Sequence, residues 1–279
     1  MKPPKDRYIK VGKVNTHYWE EGTQGSPVIL IHGIGCYIEL WSPTFEALAA
    51  QHRVYALDLL GHGRTDKPQD VSYKLENLAQ FVNNFMTALG IEHAHVVGHS
   101  LGGAIATKLC LLYPTLVDKL VLAAPGGLGK EGPIAFRIAS LPILGELLTR
   151  PSRSSSARMA KIIVHDPKVM TEELIEENYQ MTSFPGAQKS LLKIIRAIGN
   201  VFGCHKSVYI PNVQGLASIT NPTLVIWGRQ DRIVPVAHAD VAAKRFPNVR
   251  VEIFENCGHF SMLEHSNAFN KSVLGFLRD

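Results

Sequence analysis

Short apolar runs alternate along this chain with stretches whose apolar positions recur every three or four residues. Residues 28–31, 53–58, 95–97, 120–124, 223–227 and 249–254 are runs of strand length, apolar throughout at 28–31 and 120–124 and interrupted by charge at Arg53, Asp58, Arg250 and Glu252. Such runs suit strands buried on both faces. Residues 8–21 instead alternate around Gly12, the pattern of an antiparallel hairpin. Helical spacing fills the gaps. It spans 41–50, and it spans 75–89, where Leu75, Leu78, Phe81, Val82, Phe85 and Leu89 share one stripe that Gly90 terminates. Strand and helix in alternation predict the α/β class: a mostly parallel sheet of about eight strands with helices on both faces.

One long stretch breaks the alternation. From about 127 to 211 helical pieces follow one another, near 133–149, 154–164, 171–181 and 185–198, separated by Pro, Gly and Ser and without a convincing strand. The pattern predicts an all-helical lid at 127–211, inserted into a core made of 1–126 and 212–279. Phe136, Ile138, Leu141, Ile143, Leu144, Leu147 and Leu148 exceed what one helix face needs. They either pack the lid or wall an apolar pocket, and Phe136, Leu144 and Leu148 are the pocket candidates.

Composition narrows the classes of function. The 279 residues are 46% apolar and 19% charged, an enzyme-sized globular profile. A formal charge of +5, with no dense Lys/Arg run interleaved with aromatics, gives no nucleic-acid footprint. Arg150, Arg153, Arg158 and Lys161 read as a solvated helix face. The first residues are charged with no apolar stretch behind them, and no run is long enough to span a bilayer, so a cytoplasmic chain without stable membrane association is expected. Cys36, Cys110, Cys204 and Cys257 are scattered and read as free thiols, with no metal site expected.

The chemistry is concentrated at three places. In Gly98-His99-Ser100-Leu101-Gly102 a strand turns abruptly into a helix, and the glycines remove side chains that would collide. Ser100 is then exposed at a strained point, and the Leu101 N–H points where an oxyanion would form. Asp231 follows the strand ending at Trp227, and His259 lies in the loop after the last strand. A nucleophilic serine needs a base, and the base an orienting acid. His99 diverges from Ser100 on so sharp a turn and is expected to pack behind it.

His32-Gly33, Asp58 through Thr65, the serine turn, Gly228-Arg229-Gln230-Asp231 and Gly258-His259 together resemble the α/β-hydrolase fold superfamily, in its motif order Ser100, Asp231, His259. The resemblance implies a second oxyanion donor at the Ile34 N–H, a loop-organising role for Asp58, and pocket walls from Trp41 and Phe260. It also implies acyl-enzyme chemistry with neither metal nor organic cofactor. The leading expectation is hydrolysis of small apolar carboxylic esters with short to medium acyl chains. The alternative is a carbon–carbon bond hydrolase like the meta-cleavage-product hydrolases. Those enzymes carry Asn before the serine and Trp after the histidine, where this chain has His99 and Phe260, and Arg158 is a loose candidate for their lid arginine. A non-catalytic ligand-binding relative is the second alternative.

Overall fold

The computed structural model describes residues 4–278. The chain opens with the hairpin of β1 (Arg7–Val11) and β2 (Val14–Glu21), turning at Gly12 with φ +60°. Then come β3 (Pro27–Ile31), α1 (Ser42–Ala49), β4 (Arg53–Leu57), α2 (Leu75–Ala88), β5 (Ala94–His99), α3 (Leu101–Leu112) and β6 (Val117–Ala123). Between β6 and the next strand of this sheet lie α4 (Ile134–Ala139), α5 (Leu144–Leu148), α6 (Arg153–Ile163), α7 (Glu172–Ser183) and α8 (Ala187–Ile198). A two-residue hairpin, β7 (Gly199–Asn200) with β8 (Gly203–Cys204), and α9 (Lys206–Gly215) follow. The chain closes with β9 (Thr223–Gly228), α10 (His238–Arg245), β10 (Val249–Phe254), α11 (Ser261–Glu264) and α12 (Ser266–Arg278).

The sheet order is β1-β2-β4-β3-β5-β6-β9-β10, with β1–β2 and β2–β4 antiparallel and the other neighbours parallel. The apolar runs explain its burial. On β3, Ile29 and Ile31 join a core built with α2 and α3, while Val28 and Leu30 join a second core with α1 and α12 on the opposite face. β4, β6 and β9 divide their residues between the same two cores. Each such side chain contributes about 1.5–3 kcal/mol on leaving water. This is the mostly parallel eight-stranded sheet with helices on both faces that the alternation predicts.

The stretch between β6 and β9 departs from expectation in three places. The helix expected at 133–149 is two, α4 and α5, because Pro142 cannot donate to a continuing helical ladder and Ile143 adopts φ +68°. The β7–β8 pair is too short for a strand period to register in sequence. The expected boundary at 211 falls inside α9, which packs against α3 and α10 and so belongs with the core layer. No helix among the described residues is long and apolar enough to cross a membrane.

Candidate active site

Ser100 joins β5 to α3 with φ 53° and ψ −115°, a conformation that costs an ordinary L-residue about 1–3 kcal/mol. Its neighbours make the turn possible. A Cβ on Gly98 would lie 2.4 Å from the Gly102 carbonyl oxygen, and one on Gly102 would lie 2.1 Å from that of Ile31. Two hydrogen bonds pin the turn to the end of β6: the Ser100 N–H donates to Ala123 O at 2.9 Å, and the Gly126 N–H donates to Ser100 O at 2.9 Å.

Asp231 lies just past β9, fixed through both carboxylate oxygens. Oδ1 accepts the N–H groups of Ile233 (2.7 Å) and Val234 (2.9 Å), and Oδ2 accepts Nδ1–H of His259 at 2.7 Å. That bond assigns the proton to Nδ1 and leaves the Nε2 lone pair available as a base. His99 lies behind this pair. Its Nε2–H donates to the His259 carbonyl at 3.0 Å, its ring packs against Phe260, and burial holds it far below the usual histidine value, so it stays neutral. It also borders the large cavity, but with its ring engaged on the His259 carbonyl it braces the histidine loop.

The histidine loop is also tied to the segment above it, through contacts invisible in the sequence. The His259 N–H donates to Ile163 O at the end of α6 (2.8 Å). Glu264 bridges the two parts, accepting the Gly258 N–H on Oε1 (2.9 Å) and the His165 N–H on Oε2 (2.6 Å). Gly258 permits this approach, since a Cβ there would lie 2.6 Å from His165 N. The one sequence signal for Glu264 is a carboxylate one turn beyond Gly258-His259.

The Ile34 and Leu101 N–H groups donate to no acceptor among the described residues, so both are free for an oxyanion. The Ile34 loop is held by His32, whose Nδ1–H donates to Gly33 O (2.7 Å) while Nε2 accepts the Leu59 N–H (3.0 Å). Burial keeps His32 below its usual value, consistent with this neutral tautomer. Asp58 organises the neighbouring loops, accepting the N–H groups of Ile38 (3.0 Å) and Arg64 (2.8 Å) and the His17 ring (2.7 Å). Burial alone would raise its carboxyl, but the His17 hydrogen bond, the His17 charge and the Arg64 N–H hold it below the usual value.

Ser100 stands where two cavities meet. The larger, about 460 Å³, has a floor from Ser100, His259 and Phe260 and a roof from α4 through α8, including Phe136, Leu148, Met159 and Asn178; among the described residues no Lys or Arg borders it. The smaller, about 120 Å³, lies beside Leu101 and is bordered by Glu131, Arg137 and Asn200. Ile34, Ser100, Phe136, Ile195 and Ile233 border both.

Of the expected pocket residues, Phe136, Leu148 and Phe260 line the large cavity, and Trp41 and Leu144 do not. Trp41 is fully buried in the core of the α1 face against Phe269, since its place at the start of α1 turns it into the layer below. Leu144 is exposed together with Leu141, Ile143 and Leu147, because the break at Pro142 rotates α5 so that Gly145 faces inward. Arg158 is exposed and borders neither cavity; Arg137, which the sequence did not single out, borders the small one. The four cysteines are unpaired, and burial pushes Cys36, Cys110 and Cys257 up to about 12.

A strained serine, a base with its tautomer set by a carboxylate, and two unsatisfied N–H groups can together carry out acyl transfer. The model of the α/β-hydrolase fold family matches residues 26–266, and the chain belongs to that family of hydrolases. The sequence is 32% identical over 264 residues to a 2-hydroxy-6-oxononadienedioate/2-hydroxy-6-oxononatrienedioate hydrolase of Comamonas testosteroni, covering 91% of this chain and 88% of that one. Among solved structures it resembles the meta-cleavage product hydrolase CumD of Pseudomonas fluorescens IP01 (TM-score 0.83, 28% identity, 98% and 97% of the two chains). It also resembles a putative lipase of Acinetobacter baumannii AYE (TM-score 0.86, 26% identity, 98% and 90%).

Proposed function

We propose that this chain is a serine hydrolase that cleaves a carbon–carbon bond beside a ketone, in substrates of the meta-cleavage-product kind. The observation that carries this reading is the position of Ser100 between a large apolar cavity and a small one bordered by Arg137. A ketone carbonyl at Ser100 would send its apolar arm into the large cavity and a short oxo-acid arm into the small one. Arg137 uses Nε on Val201 O, which leaves its terminal N–H groups for a carboxylate. In this scheme His259 Nε2 takes the Ser100 proton as Oγ attacks, and the Ile34 and Leu101 N–H groups hold the oxyanion. The carbon fragment leaves with the bonding electrons, which its conjugated oxo-acid accepts, and takes the proton from His259. Water then releases the acyl group from Ser100, with His259 as base again. The named hydrolases among the relatives and solved structures favour this over ester cleavage, reversing the order in which the sequence ranked the two.

Ester hydrolysis is the second reading, supported by the uncharged large cavity and by His99 and Phe260 at the positions where Asn and Trp would stand. One panel separates them: decay of a coloured ring-fission dienoate against release of p-nitrophenol from acetate and butyrate esters. The first reading expects the dienoate to have a kcat/KM at least about a hundredfold higher than the esters, and Arg137→Gln to raise KM for the dienoate alone. Ester turnover with no dienoate turnover refutes it in favour of the second.

A further inference from the structure

The outer side of the segment over the cavity carries apolar residues that the catalytic reading leaves unused. Ile143 is 76% exposed, Phe202 74%, Ile134 70%, Leu148 55% and Leu147 52%, with Leu144 beside them. They are not scattered. Four lie within six residues across α5, Ile134 begins α4, and the β7–β8 hairpin bearing Phe202 is held to α4 by the Arg137–Val201 hydrogen bond. Ile143 is a β-branched residue at φ +68°, a conformation avoided unless its surroundings impose it, and here it turns the side chain to solvent. Apolar patches of this kind mark interaction surfaces.

Charge says what covers it. Residues 130–161 hold six cations, Lys130, Arg137, Arg150, Arg153, Arg158 and Lys161, against Glu131 and Glu146. Glu131 is engaged by His238 and Glu146 by Arg196. Arg153 pairs with Glu172 and Glu176; Lys130 and Arg150, which flank the patch, are exposed and in no ion pair among the described residues, and the equally unpaired Arg158 and Lys161 lie further along the chain in α6. Arg150 follows directly on the α5 patch, and Lys130 lies at the hairpin, where its carbonyl accepts the Cys204 N–H. A second copy of this chain would bring the same cations face to face.

We infer that the α4–α5 face with the Phe202 hairpin is a peripheral docking surface for an anionic phospholipid bilayer. The apolar side chains enter the acyl boundary while the cations meet lipid phosphates, as for an interfacial amphipathic helix. Leu148 belongs both to this face and to the large cavity, so an apolar substrate dissolved in the bilayer reaches the cavity along a continuous apolar surface. On this proposal the chain docks on the membrane without a spanning helix among the described residues, in contrast to the expectation of no stable membrane association.

The test is cosedimentation of the full chain with vesicles of phosphatidylcholine containing a quarter phosphatidylglycerol, and with phosphatidylcholine alone. Binding to the anionic vesicles, weakened by 0.5 M NaCl, is expected. Ile143→Asp with Leu147→Asp should reduce it at least about a hundredfold, and Arg150→Glu should reduce it about fivefold or more. Neither Ile143 nor Leu147 borders a cavity, so turnover of a soluble substrate by the double variant should match the wild type and certify its fold. Absence of binding to anionic vesicles overturns the inference, as does binding that the double variant retains. A wild-type dimer that the double variant dissolves, without vesicle binding, would assign the face to a second copy instead.

Discussion

Glu177 supplies a sharp test of how the α7 helix is seated on the core. It lies half-buried over Tyr37, whose hydroxyl donates to Leu174 O at 3.4 Å, and close to the partly buried Glu39–Arg64 ion pair. Burial first, then the neighbouring Glu39 carboxylate, push Glu177 up to about 7 against the pull of Arg64. A carboxyl raised in this way binds more protons folded than unfolded between about 4.5 and 7, so stability falls as pH rises across that window. The shift corresponds to at most about 3 kcal/mol, and solvent screening at a partly open site reduces this to about 1–2 kcal/mol. Glu177→Gln removes the charge and keeps the shape. At pH 8 it should gain that amount, raising Tm by about 2–5 °C for a chain of this size, and at pH 4.5 it should gain nothing. Thermal unfolding at pH 4.5, 6 and 8 checks this, with amide exchange in α7 slowing at pH 8 in the variant. An equal Tm gain at every pH, or a loss at pH 8, would refute the linkage.

Four further outcomes follow from the site. Ser100→Ala and His259→Ala should each lower kcat by at least about ten-thousandfold, with the double variant little worse and Tm held, as steady-state kinetics and calorimetry will show. Mass spectrometry after treatment with a fluorophosphonate should place the label on Ser100 and not on Ser42 or Ser261. Glu264→Ala should cut kcat about tenfold or more with KM nearly constant, because it displaces the His259 loop from α6, and should slow fluorophosphonate labelling in parallel; Glu264→Gln, which keeps one acceptor, should recover part of both. Phe136→Ala should flatten the preference among substrates with longer apolar arms, whereas Leu144→Ala, outside both cavities, should leave that profile parallel to wild type.

The core was legible because its constraints are local. A strand with Val28, Ile29, Leu30 and Ile31 in succession has to be covered on both faces, and the structure covers it with α2 and α3 on one side and α1 and α12 on the other. Gly98 and Gly102 were legible for an equally local reason, since each answers to one close backbone approach. Trp41 was misread because apolarity is the same signal in a core and in a pocket wall. Only the direction of the side chain separates them, and that depends on where α1 meets the sheet.

The helices over the cavity were harder to read for a different reason. Their apolar residues answer to three environments at once: the core below, the cavity, and the solvent side. In α4 and α5 the spacing that puts Phe136 and Leu148 on the cavity leaves Ile143 and Leu147 outward, and no hydrophobic period distinguishes inward from outward when both faces are apolar. The couplings between this segment and the core are mostly through backbone groups. His259 N–H reaches Ile163 O, and Glu264 reaches two N–H groups separated by nearly a hundred residues. Peptide groups carry no sequence identity, so such contacts emerge only once the fold has brought the segments together. They also have a mechanical consequence. The end of α6 and the histidine loop are joined by short hydrogen bonds across a Gly258 contact that leaves no room for a Cβ, so the position of His259 is set partly by α6 and not by the sheet alone.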